Sequence, residues 1–474
     1  MFLDLAQLQE RCETWYKKSS EAGKPILSII CQNLTLLSGK WTANGTQITL
    51  SWLKEGLKPR CITRDLKWGT PVPKAGYEKK VFYVWFDAPI GYLSITANFT
   101  SDWENWWKNP DQVQLYQFMG KDNVPFHTVI FPCSLFATKE NWTLVNHINT
   151  TEYLQYEGTK FSKSRGVGVF GNNVMDSGIP VEVWRYYLFS VRPESNDSQF
   201  TWKGLIAANN NELLANLGNY VNRVTKFLAA KYEGVVPDYK YDTSDEKVIS
   251  DVNALLKEYI TALEAVKIRH ALKLVMDISA RGNQYLQDNK LDNNLFANQP
   301  ERCDAILGLS VNLIYLLASL VYPYMPSTTQ NILEQLNVPQ PRSLAIESWD
   351  AKEILAGHPL GKPNYLFKRI EEKLEEGFKA KYGGSESAAP KDNAVAESKP
   401  SKSKKKSASA QPTLPEGFVK PQEMLDLETK ITEAGELVRK LKTEKAEANA
   451  IQKSVTELLS LKSALSDMIA KATK

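Results

Sequence analysis

The chain has 474 residues, 43% of them apolar, and a formal net charge of +4. That length holds two or three domains, the apolar share excludes a chain disordered as a whole, and so small a charge leaves only local basic clusters to meet nucleic acid. The five cysteines, Cys12, Cys31, Cys61, Cys133 and Cys303, are scattered and form no C-x-x-C pair, which argues against a disulfide framework and a zinc knuckle and predicts a reducing compartment.

Taken from the N-terminus, Met1-Phe2-Leu3-Asp4-Leu5 lacks a basic stretch followed by an apolar one, so no secretory leader is read there. From Val81 to Gly168 the text predicts strands and short loops. Val81-Phe82-Tyr83-Val84-Trp85-Phe86 is rich in strand formers, and Val113 to Met119 is a second apolar run closed by Gly120. The first run leads into Trp85-Phe86-Asp87-Ala88-Pro89-Ile90-Gly91-Tyr92. Two large rings, a small residue and a rigid proline could wall a narrow apolar slot suited to an unbranched thioether, or could simply pack as core.

The second run leads into Gly120-Lys121-Asp122-Asn123-Val124-Pro125-Phe126-His127. A glycine after a strand admits a ligand closely, and an acidic group at the carboxyl end of a parallel strand can take ribose hydroxyls. A lone His127 is more often a core histidine than a catalytic one. Next, Lys160-Phe161-Ser162-Lys163-Ser164-Arg165-Gly166 follows the strand-like run Thr151 to Tyr156 and precedes a helical region. Two ammonium groups on a short loop can neutralise charge on a transferring phosphoryl group, although a solvated basic-serine loop reads the same way.

Between Lys203 and Leu336 the period becomes helical. Leu213, Leu217, Val221, Val224 and Leu228 form one stripe, and Val248, Val252, Leu255, Tyr259, Leu263 and Val266 form another, which predicts an all-helical bundle. The longest apolar tract, Ile306 to Val321, is interrupted by Gly308, Ser310, Asn312 and Ser319. It reads as a core helix too short for a membrane span, and no membrane partner is expected. Residues 381–422 turn to Gly, Ser, Ala, Pro and Lys around Lys402 to Lys406, a disordered basic linker. Beyond it, Ile431, Ala434, Val438 and Leu441 and then Ile451, Val455, Leu458, Leu465 and Ile469 predict a helical hairpin.

In this order and spacing the motifs resemble the eukaryotic cytosolic methionine tRNA ligases, members of the class I aminoacyl-tRNA synthetases. Lys160 to Ser164 is similar to that class's Lys-Met-Ser-Lys-Ser signature with Phe161 in the methionine place, Val81 to Tyr92 to its methionine-pocket strand, and Arg64 to Pro73 also reads as in the family. The terminal hairpin resembles a WHEP module. The fold implied is α/β plus all-α: an incomplete class I nucleotide-binding, Rossmann-like half over 1–202, a helical anticodon-binding domain over 203–380, the linker over 381–422 and the WHEP-like hairpin over 423–474.

The resemblance implies activation of methionine by ATP, with Mg2+, to methionyl-adenylate and transfer to tRNA(Met) in the cytoplasm, with a multi-synthetase complex as a further partner. It assigns methionine to Trp85, Ala88, Pro89, Tyr92, Asn123 and His127, and ATP to Gly120, Asp122, Lys160, Ser162 and Lys163. Lys163 and Lys160 are the catalytic cations. Asn216 falls at a family position for anticodon contact, with Asn219 and Arg223 on the same predicted helix face. Arg439, Lys442 and Lys445 of the hairpin would meet phosphates by charge. A solvated polar face accounts equally well for Asn219 and Arg223.

Three departures stand out. No His-x-Gly-His signature occurs among His127, His147, His270 and His358, so an N-terminally truncated form without a zinc site is expected, and the chain as written is expected to show no measurable methionine-dependent pyrophosphate exchange; a non-catalytic tRNA-binding or assembly fragment is the alternative. Pro25 to Lys40 interrupts the family text, because Gly39-Lys40 repeats Gly23-Lys24; it is either an unspliced segment or an insertion that packs as a strand. Gly282-Asn283-Gln284-Tyr285 is present, but the tryptophan that would stack on an anticodon base after it is missing.

Overall fold

The computed structural model describes residues 1–21, 41–341 and 348–384, together with scattered helical residues between 426 and 464. The chain divides into two compact units, Met1–Pro390 and Lys391–Lys474. Pro25 to Lys40, most of the linker, and Arg439, Lys442 and Lys445 lie outside the described residues.

The first unit opens with β1 (Phe2–Leu3), α1 (Gln9–Glu21), α2 (Ala43–Lys54), β2 (Arg60–Cys61), β3 (Thr63–Arg64) and β4 (Val81–Phe82). Here the expected strand Val81 to Phe86 is corrected: only two residues pair, with Thr63 and Arg64, and the chain then turns into α3 (Val84–Phe99). After α4 (Trp103–Trp107) comes β5 (Leu115–Gly120), a π-helical turn Phe126–Ile130, α5 (Phe131–Ala137) and β6 (Val145–Thr151). β5 and β6 are parallel, so this is a β-α-β unit, and Trp41 adds a parallel bridge to Ile148 of β6. β6 is covered on both faces, as parallel strands require.

The strand-like run Thr151 to Tyr156 is in fact the end of β6 and a separate β7 (Leu154–Tyr156). α6 (Gly171–Asp176) and α7 (Val181–Ser190) then lead to β8 (Ser198–Phe200), parallel to β7. Tyr156, Trp184 and Phe200 stack behind this pair, and the buried Trp202 indole donates to the Tyr156 hydroxyl at 2.9 Å.

The bundle follows as α8 (Trp202–Ala207), a π-helical stretch Ala208–Gly218, α9 (Asn219–Lys231), α10 (Thr243–Glu264), α11 (Ile268–Asp288), α12 (Asn293–Asn298), α13 (Pro300–Val321) and α14 (Pro326–Leu336). The stripe Leu213, Leu217, Val221, Val224 and Leu228 is fully buried, as its spacing predicts. The α10 stripe needs correction: Leu256 rather than Leu255 is buried beside Val248, Val252 and Tyr259, and Val266 lies beyond the helix at φ 55°.

α13 is also longer than the tract read from sequence. By length and composition it could cross a membrane, but 89% of its most apolar window is buried among the other helices. Of its polar interruptions, the buried Asn312 amide accepts from the Ile354 N–H at 2.8 Å and donates to the Ile354 carbonyl at 3.1 Å, pinning a returning segment to the core. That segment ends in α15 (Leu374–Tyr382), which packs on α8.

α11 ends in a Schellman motif. The Lys290 N–H bonds to the Gln287 carbonyl at 3.0 Å and the Leu291 N–H to the Leu286 carbonyl at 3.1 Å, with exposed Lys290 held at φ 51°. A left-handed conformation costs an L-residue about 1 kcal/mol and glycine nothing comparable. Lys290→Gly is therefore expected to raise stability by roughly 1 kcal/mol, read as a higher denaturant midpoint at unchanged slope.

Candidate active site and tRNA-binding face

Because α3 is a helix, Trp85, Ala88, Pro89 and Tyr92 stand at i, i+3, i+4 and i+7 and share one stripe. The helix tolerates Pro89 in its interior at the loss of one bond: Pro89 has no N–H to give the Trp85 carbonyl. Part of this stripe faces the π-helical turn that follows β5. The Trp85 ring meets Phe126 edge-on at 4.2 Å, and the Tyr92 hydroxyl lies 2.9 Å from His127 Nε2.

The His127 tautomer follows from its partners. Nδ1 is 2.8 Å from the Asn123 carbonyl, which only accepts, so Nδ1 carries the proton and Nε2 accepts from Tyr92. Burial holds the imidazole below its ordinary pKa, against a smaller opposing effect of the Asn123 carbonyl, and burial also raises the Tyr92 phenol. Trp85, Tyr92, His127 and the Asn123 backbone are thus brought together. Pro89, on the same helix, is buried.

Ala88 instead lines a wide groove of 1140 Å³, together with Leu66, Trp68, Val84 and Gly91, whereas Trp85 lines a smaller one of 240 Å³ with Arg60, Arg64 and Tyr83. The six assigned methionine residues therefore do not close one slot among the described residues.

The folded His127 pKa lies below the unfolded value of about 6.5, so its contribution to stability is fully present above that pH and is lost as pH falls through the folded value. The melting temperature is expected to drop between pH 7.5 and 5 more steeply in the unaltered chain than in His127→Gln.

At the carboxyl end of β5, Gly120 is exposed, with open space where a side chain would stand. Asp122 is exposed and accepts the Tyr153 hydroxyl at 2.6 Å. That bond raises the Tyr153 phenol's pKa. Lys121 stands 4.2 Å over the Tyr153 ring and pairs with Glu152 at 2.7 Å and Asp197 at 3.2 Å. Sequence reasoning missed Lys121, Glu152, Tyr153 and Asp197. Only the crossing of β5, β6 and the loop before β8 brings them together, and no spacing in the sequence encodes that.

The basic loop follows the carboxyl end of β7. Lys160 and Lys163 are exposed, and among the described residues neither has a carboxylate within ion-pairing distance. Lys163 lies 5.9 Å from the Phe170 ring and opens a short 3-10 turn, Lys163–Arg165, that ends at Gly166. Ser162 and Val167 exchange both backbone hydrogen bonds, at 2.9 and 3.0 Å, so the loop is a tight hairpin with Lys163 and Arg165 at its tip and Lys160 just before its base. Phe161 fills its base: a Cβ on Gly168, which sits at φ 116°, would fall 2.2 Å from that ring.

In the bundle, the shared face of Asn216, Asn219 and Arg223 is corrected. Asn216 belongs to the π-helical stretch, which shifts the helical phase, and it turns inward. Its amide donates to the Met276 carbonyl at 2.9 Å and accepts from Ser279 at 2.9 Å and Asn283 at 3.1 Å. Asn219 is exposed and donates to Asn283 at 3.3 Å, and Arg223 is half-buried one turn on. Asn283, from the Gly-Asn-x-Tyr segment, is the residue that joins α11 to this face. Among the described residues no group of three His, Cys, Asp or Glu is placed to hold a metal ion.

Parallel β-α-β units with a cationic hairpin and a glycine at their strand ends, joined to a helical bundle, define an α/β protein of the Rossmann-like class with a separate helical domain. Residues 1–225 match the family model for class I tRNA synthetases (M), residues 236–387 that for the anticodon binding domain of methionyl tRNA ligase, and residues 427–474 the WHEP-TRS domain. The chain belongs to the class I tRNA synthetases of this methionine type.

It is 54% identical over 386 residues to the cytoplasmic methionine tRNA ligase of Saccharomyces cerevisiae, covering 81% of this chain and 49% of that one. It is 44% identical over 467 residues to the Homo sapiens cytoplasmic enzyme, covering 98% and 48%. The chain thus spans about half the length of the curated relatives it matches. The Mycobacterium tuberculosis methionyl-tRNA synthetase solved with methionyl-adenylate shares the fold, with a TM-score of 0.65 at 22% identity over 77% of this chain and 68% of that one.

Proposed function

We propose that the protein acts in the cytoplasm as a methionine tRNA ligase, activating methionine with ATP and passing it to tRNA(Met). The observation that carries this reading is that one unit holds two strand ends of this kind: Gly120 and Asp122 after β5, and Lys160 and Lys163 after β7, without a carboxylate partner among the described residues. Ligands of open parallel sheets bind at such carboxyl ends.

On this reading Asp122 and Gly120 meet the ribose, and Ser162, Lys160 and Lys163 meet the phosphates, with Mg2+ arriving on the nucleotide. The chemistry is positioning and charge neutralisation. Trp85 and Tyr92, backed by His127, offer one apolar wall to the thioether, with Pro89 on the same stripe and the Asn123 carbonyl fixing His127, while Ala88 lies along the neighbouring groove. Asn219 and Arg223 face the anticodon, and Asn216 acts behind them by fixing Asn283. Arg439, Lys442 and Lys445 add charge toward the tRNA, and the division into 1–202, 203–380, 381–422 and 423–474 is kept as part of the same reading. Membership of a multi-synthetase complex is a further part of the proposal.

Methionine-dependent pyrophosphate exchange by the natural protein tests it. Exchange is expected with methionine and at least tenfold weaker with leucine or isoleucine, since an apolar slot discriminates by roughly 1 to 3 kcal/mol per methylene. Equal exchange with leucine, or tRNA binding without methionine-dependent exchange, would overturn the reading, the latter in favour of a non-catalytic tRNA-binding protein.

A further inference from the structure

The cationic hairpin does not stand alone. Val167, already paired with Ser162, forms a second, antiparallel bridge to Gly383, and the Gly168 N–H donates to the Tyr382 carbonyl at 2.9 Å. The loop is thereby the middle member of a three-part ladder whose outer member comes from the far end of the helical domain.

That outer member is firmly anchored. The Phe378 ring stacks on Trp202 at 4.3 Å, and the buried Tyr382 ring stacks on the same indole at 5.5 Å. The Tyr382 hydroxyl donates to the Asn173 carbonyl at 3.3 Å, Lys381 to the Asp176 carbonyl at 3.4 Å, and Lys379 lies 3.7 Å from Glu157. These contacts bracket the loop from both sides, since Glu157 precedes it and Asn173 and Asp176 follow it. At the end of the ladder, Gly384 adopts φ 79°, and a Cβ there would fall 2.6 Å from Val167 Cγ2 and 2.7 Å from the Arg165 carbonyl oxygen. Only glycine lets the chain lie this close to the loop.

We propose that Phe378 to Gly384 is a strap that positions the ATP loop, holding its base so that Lys160 and Lys163 reach the nucleotide from a fixed register; this rests on the reading of that loop given above. A hairpin whose base is clamped loses little further conformational freedom when its tip engages a ligand, whereas a released one must be ordered at each turnover. The strap touches no substrate. It acts through the backbone of Val167 and Gly168.

Limited tryptic digestion tests this, because Lys160 just before the hairpin base and Lys163 and Arg165 at its tip are exposed cleavage sites. Tyr382→Ala and Gly384→Val are each expected to speed cleavage at these sites at least tenfold while cleavage within α9 to α14 keeps its rate. Tyr382→Phe, which keeps the stacked ring and the backbone bond, should digest like the unaltered chain. In the natural protein Gly384→Val is expected to raise KM for ATP about tenfold and leave KM for methionine unchanged. Unchanged loop cleavage in both Tyr382→Ala and Gly384→Val, or bundle cleavage rising in parallel, would overturn the proposal, as would equal shifts in both KM values. The digestion uses no nucleotide: if ATP fails to protect the loop of the unaltered chain, the ATP-loop reading falls and the strap stands.

Discussion

Replacing Lys163 with alanine in the natural protein is expected to lower kcat for methionine activation by roughly 10² to 10³, the usual cost of removing one preorganised group that stabilises transition-state charge. KM for methionine should stay near its unaltered value, because the α3 stripe proposed to hold methionine is a separate element. The physical ground is that Lys163 is exposed at a hairpin tip with no carboxylate partner among the described residues. An ammonium already neutralised by a carboxylate would have little field left for a phosphoryl group. Lys121, after β5, is the internal contrast: it is committed to Glu152 and Asp197. Lys163→Arg keeps charge but replaces a compact ammonium with a planar fork, so partial activity is expected. Stopped-flow or pyrophosphate-exchange rates decide the matter; a Lys163→Ala rate within threefold of the unaltered protein would remove Lys163 from the mechanism.

How far the sequence carried the fold depended on whether periodicity and tertiary packing agreed. The stripe from Leu213 to Leu228 was legible because apolar spacing alone decides which face of a bundle helix is buried. The π-helical stretch Ala208–Gly218 was not, because nothing in residue type announces an i to i+5 ladder, and its extra residue per turn moved Asn216 from the outer face to the inner one. Val81 to Phe86 failed for a different reason: strand propensity is weak, and packing of Trp85 on Phe126 and Trp52 overrode it in favour of helix.

The site divides in the same way. Lys160 to Ser164 and Gly120 to Asp122 were readable as linear motifs, because a hairpin tip and a strand end are each made from consecutive residues. The Tyr153 to Asp122 bond, the Lys121 pairs and the clamp of Tyr382 on Gly168 join segments far apart in the chain, and a single sequence carries no signal of such contacts. Asn283 lay between these cases. Its motif was visible, but its function as the link between Asn216 and Asn219 depends on how α11 packs.

Arg302→Met is expected to cost about 3–5 kcal/mol of stability, because it leaves a buried carboxylate without its cation. Asp245 is fully buried at the start of α10, where its N–H is capped by Asp242 and its own carboxylate accepts from the Asp242 N–H at 3.0 Å. Arg302, near the start of α13, donates to Asp245 at 2.7 Å, to Asp242 at 3.2 Å and to the Asn289 side chain at 2.8 Å, and the Tyr285 hydroxyl donates to the same Asp245 carboxylate. One guanidinium thus ties the beginnings of α10 and α13 to the end of α11. Tyr285 lies two residues beyond Asn283, so the network also fixes the helix whose Asn283 joins Asn216 and Asn219. The loss should therefore appear twice, as a lower denaturant midpoint and as tRNA binding weakened at least tenfold under conditions where the variant is still folded. Adding Asp245→Asn to Arg302→Met removes the orphaned charge and should recover more than about 1 kcal/mol, the non-additivity that coupled neighbours give in a double-mutant cycle. Strictly additive losses would mean that Arg302 acts through its stem packing rather than by neutralising Asp245.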